Sequence, residues 1–330
     1  GPSAGSIVSR QKVLLLPLEK LQSPWCDDVI AALGDRHEIR LLDKTQSLEP
    51  QFTEVDVVID QGGSVGTRGM MDAATSAKLW QILGTGFDHF DLSYIRQKGI
   101  AVANCPGQFS STALAETAMM FILMLAHRYV ATHRNFLDGV LYEPMGVELT
   151  GQTLGILGFG ASGQELAIRA RAFGMRIVAT DAQQIDARIL DRIQPDFIGT
   201  PADTERVIAE SDYLSLHLHL NDDTHHLIGA EQLALMKPTA SLINVSRGAL
   251  VDEDALHAAL SDGVIGGAGV DVYSQEPPDA SHPVYQLPQV LSTNHIAGCT
   301  DGTSRKRAAC AAENVDRIAA RLEPLYRIDL

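Results

Sequence analysis

The sequence is short of positive charge and of long apolar runs, and each shortage excludes a class of protein. Its 26 lysines and arginines face 41 aspartates and glutamates, which gives a formal net charge of −15. Nucleic acids and anionic membranes are bound by basic faces, so we expect neither as a partner. The longest apolar run, Ala118 to Ala126, is too short to cross a bilayer.

Cysteine is also scarce, and the four that occur are scattered: Cys26, Cys105, Cys299 and Cys310. None forms a C-x-x-C pair, so we expect no zinc site and a reducing, cytoplasmic compartment. The histidines between positions 217 and 226 lack a carboxylate at a ligand spacing, and we expect no metal there. With 45% hydrophobic residues over 330 positions, the chain is predicted to be a soluble protein of about two domains, without an appended regulatory domain.

The most informative stretch is a glycine turn near the middle of the chain, TLGILGFGASG from Thr153 to Gly163. It predicts a buried strand, a G-x-G-x-x-G turn and a helix that continues to Phe173, which is the dinucleotide-binding fingerprint. Gly158 permits the tight turn, and Gly160 lets a pyrophosphate approach the backbone. Free N–H groups at the start of the helix bind the phosphates. The residues assigned to the cofactor here are Gly158, Phe159, Gly160, Ala161, Ser162 and Gly163.

An acidic residue after the next strand favours NAD over NADP. Asp181 follows a β-rich run, Met175 to Thr180, at about 20 positions beyond the glycines, where a ribose 2′-hydroxyl is bound. A carboxylate repels a 2′-phosphate, and the next residues, Ala182 to Gln184, include no arginine. Two alternatives remain: the cofactor is NADP, or the glycine turn is a βα turn that binds no ligand.

Short apolar runs alternate with helical patterns along the chain, which predicts an α/β protein with two doubly wound parallel sheets. Strands are predicted at 13–17, 38–42, 56–59, 80–83, 100–103, 153–157, 175–180, 212–216, 240–245, 266–272 and 289–292. Helices are predicted at 23–33, 111–127 and 304–322, among others. Because about 150 residues precede the fingerprint, we predict a flavodoxin-like substrate domain of residues 7–104 and 300–330. A Rossmann NAD-binding domain of residues 105–299 is inserted into it.

Three polar residues follow three of the later predicted strands: Arg247, Glu276 and His295. Strand ends of a parallel sheet share one edge, so the three are expected to meet beside the glycine turn. Arg247 suits a substrate carboxylate and the charge that grows on a carbonyl oxygen during reduction. His295 suits proton transfer, and Glu276 suits orientation of its ring. Taken singly, Arg247 could instead form an ion pair at a strand end. Glu276 could be a solvated turn residue, and His295 could be a core histidine.

The chain resembles the D-isomer-specific 2-hydroxyacid dehydrogenase family over nearly its whole length. The matching stretches are 83–91, 151–160, 236–253, 269–278 and 295–298. The resemblance implies that Arg247, Glu276 and His295 are catalytic, that Asp271 contacts the nicotinamide carboxamide, and that NAD is the cofactor. Further cofactor contacts are implied at His217, Val245, Ser246, Arg247 and His295. Substrate contacts are implied at Gly62, Gly63, Gly84, Thr85, Arg247 and His295.

The family also implies a homodimer formed through the nucleotide domain and closure of the two domains over a small 2-keto or 2-hydroxy acid. Glyoxylate, hydroxypyruvate and 3-phosphoglycerate are the candidate substrates. The loop from Asp60 to Val65 has no arginine, although Arg68 is near it, which disfavours a phosphorylated substrate. Glutamate at position 276, where the formate-oxidising branch has glutamine, argues against formate.

The chain departs from the family pattern in three features: Asn294 stands for proline, the pair Ala161-Ser162 for Arg-Ile, and His219 for proline. None of these changes removes a catalytic group. Two alternatives to a 2-hydroxyacid dehydrogenase remain, namely an NAD-responsive binding protein of the corepressor kind and another NAD enzyme of the same fold, such as a phosphite oxidiser.

Overall fold

The computed structural model describes residues 9–62 and 65–330, and it divides the chain into two compact units. The first unit combines the residues up to Ser110 with Cys299–Leu330, and the second unit is Ser111–Gly298. The chain thus leaves the first unit after its fifth strand and returns to it for the last long helix.

The strands are β1 Lys12–Leu16, β2 Glu38–Leu41, β3 Val57–Asp60, β4 Leu79–Ile82, β5 Ala101–Ala103, β6 Thr153–Leu157, β7 Arg176–Thr180, β8 Phe197–Gly199, β9 Tyr213–Leu216, β10 Ser241–Asn244, β11 Gly267–Val270 and β12 Val290–Ser292. The helices are α1 Trp25–Leu33, α2 Leu48–Phe52, α3 Arg68–Ala73, α4 Leu92–Gln97, α5 Ser111–Ala126, α6 Tyr129–Leu137, α7 Ala161–Ala172, α8 Ala187–Ile193, α9 Thr204–Glu210, α10 Ala230–Leu235, α11 Glu253–Ser261 and α12 Asp301–Ala319.

The first unit is a parallel sheet in the order β2-β1-β3-β4-β5, which is the flavodoxin-like order. Successive strand residues point to opposite faces, so Val13 and Leu15 pack with α1 and α12 while Leu14 and Leu16 join a second apolar cluster with Trp80. Both faces of the sheet are therefore covered, as a parallel sheet requires.

The second unit is a parallel sheet in the order β12-β11-β10-β9-β6-β7-β8. Renumbered within the unit, this is the Rossmann order with a seventh strand at one edge. The strand order reverses between β6 and β9, and such a switch point is where an open α/β sheet binds its ligand. Helix α5 lies in the core beside these strands, with Phe121 and Ile122 buried.

The predicted fold class is confirmed, and most strand ends agree to within one residue. The largest difference is the strand predicted at 266–272, which ends at Val270. The Asp271 N–H makes the last bond to the neighbouring strand, to the Asn244 carbonyl, and the Asp271 carboxylate turns to the loop that carries His295. The sequence analysis did not predict β8 or α6, which have no fully buried residue and so lack a strong apolar pattern. Taken alone, no helix in the described ranges is long and apolar enough to span a membrane; α5 and α6 together, bent by 56°, pass that test by length and composition.

Candidate active site

The glycine turn connects β6 to α7, and its three glycines are needed for different reasons. Gly158 has φ +93°, and a Cβ there would lie 2.1 Å from the carbonyl oxygen of His217. A Cβ on Gly163 would lie 2.3 Å from the carbonyl oxygen of Gly158. Gly160 begins the helix and has open space where a Cβ would point. Two glycines therefore satisfy the chain's own packing, and the third leaves room for the phosphates of a dinucleotide.

Asp181 lies directly after β7 and is held against this turn. Its Oδ2 accepts a hydrogen bond from the Phe159 N–H at 2.6 Å, and its Oδ1 accepts one from the Gln183 N–H at 2.7 Å. An ionised carboxylate can accept about four hydrogen bonds, so each oxygen keeps capacity for a ribose hydroxyl. The turn and Asp181 together fit the adenosine side of NAD.

His217 follows β9 and lies between two hydroxyl groups. Its Nδ1 is 2.8 Å from Ser162 Oγ and its Nε2 is 2.7 Å from Ser215 Oγ. Burial lowers the pKa of His217 to about 4, so the ring is neutral at pH 7. Ser162 is one of the two turn residues that depart from the family pattern. Its hydroxyl thus connects the start of α7 to the end of β9.

Arg247 lies in a loop after β10 that Asn244 organises. The Asn244 amide donates to the Arg247 carbonyl at 2.9 Å and accepts from the Ser246 N–H at 3.1 Å. Ser246 Oγ donates to the carbonyl oxygen of Leu216 at 2.5 Å, and Val245 is buried. These contacts fix the backbone on both sides of the arginine.

The loop that carries Arg247 touches the loop that carries Glu276. A Cβ on Gly248 would lie 2.1 Å from the carbonyl carbon of Tyr273, so only glycine permits this approach. Tyr273 in turn donates its N–H to Glu276 Oε1 at 3.2 Å. The order of the strands in the sheet thus brings the two loops side by side.

Glu276 and His295 form the central hydrogen bond of the site. His295 Nδ1 donates to Glu276 Oε2 at 2.7 Å, which leaves Nε2 available to a substrate. Both side chains are partly exposed, at 52% for His295 and 39% for Glu276. The pair therefore faces an accessible space and has the geometry of an oriented acid or base.

The backbone of His295 is held in an unfavourable conformation by Asp271. His295 has φ +55°, which is uncommon for a residue with a side chain. Asp271 Oδ1 accepts from Thr293 Oγ1 at 2.6 Å and from the Ile296 N–H at 2.9 Å, and its Oδ2 accepts from the Ala297 N–H at 3.1 Å. The buried carboxylate thus fixes both sides of the histidine. The sequence analysis placed Asp271 near the nicotinamide and missed this function.

The residues assigned to the substrate lie at the strand ends of the first unit. Gly62 follows β3, and Gly84 and Thr85 follow β4; Gly63 lies outside the described residues. The Thr85 hydroxyl donates to the Cys105 carbonyl at 2.7 Å, and the Asn104 amide donates to the Thr85 carbonyl at 2.9 Å. Arg307 Nη2 also donates to the Thr85 hydroxyl at 3.4 Å, so a carbonyl, an amide and a guanidinium hold this loop.

Within the described ranges, no group of three or more histidines, cysteines and carboxylates could hold a metal ion. In the second unit the structure brings together the glycine turn with Asp181 and His217. It also brings together Glu276, His295 and the loop of Arg247. In the first unit it places the loop of Gly84 and Thr85 beside the residues that follow β5.

Known proteins resemble this chain in both sequence and structure. Residues 119–297 match the family described as "D-isomer specific 2-hydroxyacid dehydrogenase, NAD binding domain". The glyoxylate/hydroxypyruvate reductase B of Pectobacterium carotovorum subsp. carotovorum (strain PC1) is 36% identical over 296 residues, which cover 88% of this chain and 90% of that protein. The glyoxylate reductase of Korarchaeum cryptofilum (strain OPF8) is 36% identical over 252 residues, or 74% of each chain. The crystal structure of a glyoxylate reductase from Paecilomyes thermophila has a TM-score of 0.78 at 27% identity, covering 97% of this chain and 98% of that one.

The chain belongs to the D-isomer-specific 2-hydroxyacid dehydrogenase family, and its second unit is an NAD-binding domain. It is an NAD-dependent oxidoreductase of 2-hydroxy acids. The relatives are reductases and dehydrogenases, which favours the enzyme over the binding protein considered above.

Proposed function

We propose that this enzyme reduces a small 2-keto acid to the D-2-hydroxy acid, with glyoxylate and hydroxypyruvate as the first substrates to test. The observation that carries the proposal is the 2.7 Å hydrogen bond between His295 Nδ1 and Glu276 Oε2 in an accessible site. The names of the relatives, glyoxylate and glyoxylate/hydroxypyruvate reductases, support the choice of substrates.

The reduced nicotinamide supplies a hydride when it is bound. In our proposal His295 Nε2 gives a proton to the carbonyl oxygen as negative charge develops there. Glu276 keeps the ring oriented through its hydrogen bond to Nδ1. In the oxidative direction His295 accepts the proton from the hydroxyl.

Arg247 is proposed to hold the carboxylate of the keto acid and to stabilise charge on the reacting oxygen. A guanidinium binds a carboxylate through two parallel hydrogen bonds, which fixes the orientation of the substrate. The backbone N–H groups near Gly62 and Gly84 are proposed to contact the substrate from the first unit.

NADH oxidation with a panel of 2-keto acids tests this function. We expect the wild type to reduce glyoxylate or hydroxypyruvate, and we expect His295→Ala to lower kcat by about 100- to 10,000-fold because the proton donor is lost. Glu276→Gln keeps a hydrogen-bonding side chain beside the ring, so it should lower kcat less than His295→Ala does.

The exposed His225 offers a matched control, because His225→Ala removes an imidazole that contacts only the ring of His226. It should keep the wild-type rate. Turnover of the panel by His295→Ala at the wild-type rate would remove His295 from the mechanism. Absence of turnover by the wild type, with NADH still bound, would reject these substrates.

We also propose that the enzyme is a homodimer formed through the second unit. An apolar surface runs through α6 and the segment after it, where Tyr142 is 98% and Met145 is 86% exposed, with Phe136, Leu137 and Leu141 nearby in the chain. Exposed apolar surface on this scale marks an interaction site. Light scattering should give a dimer mass for the wild type and a monomer mass for a Phe136→Glu/Leu141→Glu variant. A monomeric wild type would reject the dimer.

A reducing compartment such as the cytoplasm is our further proposal, because Cys26, Cys105 and Cys310 are buried and the described residues form no disulfide. Fractionation of source cells with an antibody to the chain tests it. Recovery in an oxidising compartment would reject it.

A further inference from the structure

One cation at the strand ends of the first unit has no function in the proposed mechanism. Arg307 lies on α12, and its guanidinium reaches the residues that follow β1, β4 and β5. Its Nη2 donates to Thr85 Oγ1 at 3.4 Å, and its Cζ lies 5.5 Å from the centre of the Trp25 ring. The Thr85 hydroxyl belongs to the loop to which the proposed function assigns the substrate.

The guanidinium of Arg307 has fewer hydrogen-bond partners in the described part of the protein than it has donors. Arg307 Nε is buried and has no hydrogen-bond partner. Over the described ranges no carboxylate lies within 4.0 Å of the guanidinium, and burial lowers the pKa of Arg307. A half-buried cation without a carboxylate partner is less well solvated than one in water, and an anionic ligand would offset that cost.

The other arginine near the substrate loop is already paired. Arg68 Nε donates to Asp91 Oδ2 at 2.6 Å, and its guanidinium lies 4.8 Å from the centre of the Tyr94 ring. Arg68 thus has a carboxylate partner, whereas Arg307 has none among the described residues. The sequence alone pointed to the loop and to nearby Arg68, because a residue more than 200 positions away gives no sign of being near them.

We propose that Arg307 selects 2-keto acids that carry a second anionic group, a carboxylate or a phosphate, at the end remote from the carbonyl. This inference rests on the proposed function, in which Arg247 takes the carboxylate next to the reacting carbon. Trp25 covers one face of the guanidinium and Thr85 binds one of its donors. The remaining edge suits a planar carboxylate or a phosphate, which guanidinium groups bind through paired hydrogen bonds.

Matched substrates separate the second anion from the rest of the keto acid. 2-Oxoglutarate and 2-oxopentanoate have the same chain length and differ by a terminal carboxylate in place of a methyl group. 3-Phosphohydroxypyruvate and hydroxypyruvate differ by a phosphate. We expect the wild type to have a higher kcat/KM for the charged member of at least one pair, and which pair does so distinguishes carboxylate from phosphate.

Arg307→Met should raise KM for the preferred charged substrate by about tenfold or more, because a charge-assisted hydrogen bond is lost. It should leave kcat/KM for the uncharged partner unchanged, and that unchanged value also shows that the variant is folded. Arg305→Met, which removes the same charge from an exposed position on the same helix, should change neither value. Arg307→Lys should recover part of the preference.

Equal loss of turnover for both members of a pair in Arg307→Met would overturn the proposal and make Arg307 a structural residue or a ligand of the common carboxylate. A wild type that prefers the uncharged members would overturn it as well. If the wild type reduces no 2-keto acid, the proposed function fails, and a binding experiment still decides the role of Arg307. Glutarate, but not pentanoate, should then change the fluorescence of Trp25 in the wild type and not in Arg307→Met; an identical response in both proteins would reject the site.

Discussion

The two units are built from the same kind of sheet, but they present different chemistry at their strand ends. In the second unit, ionisable side chains lie in a connected hydrogen-bond network: Asp271 holds the segment of His295, and Glu276 orients its ring. In the first unit the loop of Gly84 and Thr85 is fastened by an amide and a hydroxyl. The second unit therefore provides proton transfer through side chains, and the first provides a shaped loop that offers backbone groups, with the guanidinium of Arg307 beside it.

This difference is reflected in two glycines, Gly158 of the second unit and Gly84 of the first, which should differ in the cost of substitution. Gly158 packs directly against the backbone of His217, while no atom lies within 4 Å of the position where a Cβ on Gly84 would be. A loop that supports a network of side chains must pack closely against the backbone of the neighbouring strands and loops. A loop that binds a ligand through its backbone must leave space next to that backbone for the ligand.

The largest expected effect is the contrast between Gly158→Ala and Gly84→Ala. Gly158→Ala adds a methyl group 2.1 Å from a carbonyl oxygen at a positive φ, so we expect the free energy of unfolding to fall by about 3 kcal/mol or more. Gly84→Ala should change it by less than about 0.5 kcal/mol and should raise KM for the keto acid. Urea unfolding followed by circular dichroism checks both, and equal losses would contradict the comparison.

Asp271→Ala tests whether the strained His295 depends on its buried support. Two backbone N–H groups and a hydroxyl lose their acceptor, so we expect a loss of about 2–3 kcal/mol in the free energy of unfolding. The catalytic histidine also loses its position, which should lower kcat about 100-fold while NADH still binds. The exposed Asp262 provides the control, since Asp262→Asn should match the wild type. An unchanged kcat in Asp271→Ala would show that His295 is positioned by other contacts.

Acid should weaken the second unit through His217. Its pKa is about 4 in the folded protein and 6.5 as an ordinary value, so between these values the unfolded chain binds more protons and stability falls as the pH falls. From pH 7 to pH 5 we expect a loss of about 2 kcal/mol from this residue. Unfolding of His217→Asn should depend less on pH over the same window. Identical pH dependence in the two proteins would show that His217 does not titrate on unfolding.

The smallest expected effect concerns the hydrogen bond between the Thr85 hydroxyl and the Cys105 carbonyl in the first unit. Thr85→Val keeps the shape of the side chain but removes the hydrogen bond to the Cys105 carbonyl, which should cost about 1 kcal/mol of unfolding free energy. The loop should bind substrate a few-fold more weakly, with kcat nearly unchanged, in steady-state kinetics. A large fall in kcat with an unchanged KM would place Thr85 in the chemical step. That result would contradict the view that the loop of the first unit only binds the substrate.

Much of the site could be predicted because local patterns carry it. The glycine turn, Asp181 and the residues that follow strands are close in sequence to the elements that position them. The buried strands produce strong apolar runs, and those runs led to the prediction of two parallel sheets. The supporting contacts had no such signal, because Asp271 reaches Ala297 across 26 positions and Ser162 reaches His217 across 55.

By itself, the sequence determined the class of the protein: two parallel sheets, a dinucleotide turn, an NAD-type carboxylate and an Arg-Glu-His set at strand ends. Only the tertiary structure decided how these groups are held, with His295 in a strained backbone, His217 neutral between two serines, and Arg307 bonded to Thr85 while its Nε has no partner in the described part of the chain. The physical reason is the range of the interactions. Apolar periodicity and turn geometry are local properties of the chain, while burial, pKa and pairing depend on which distant residues the fold brings together.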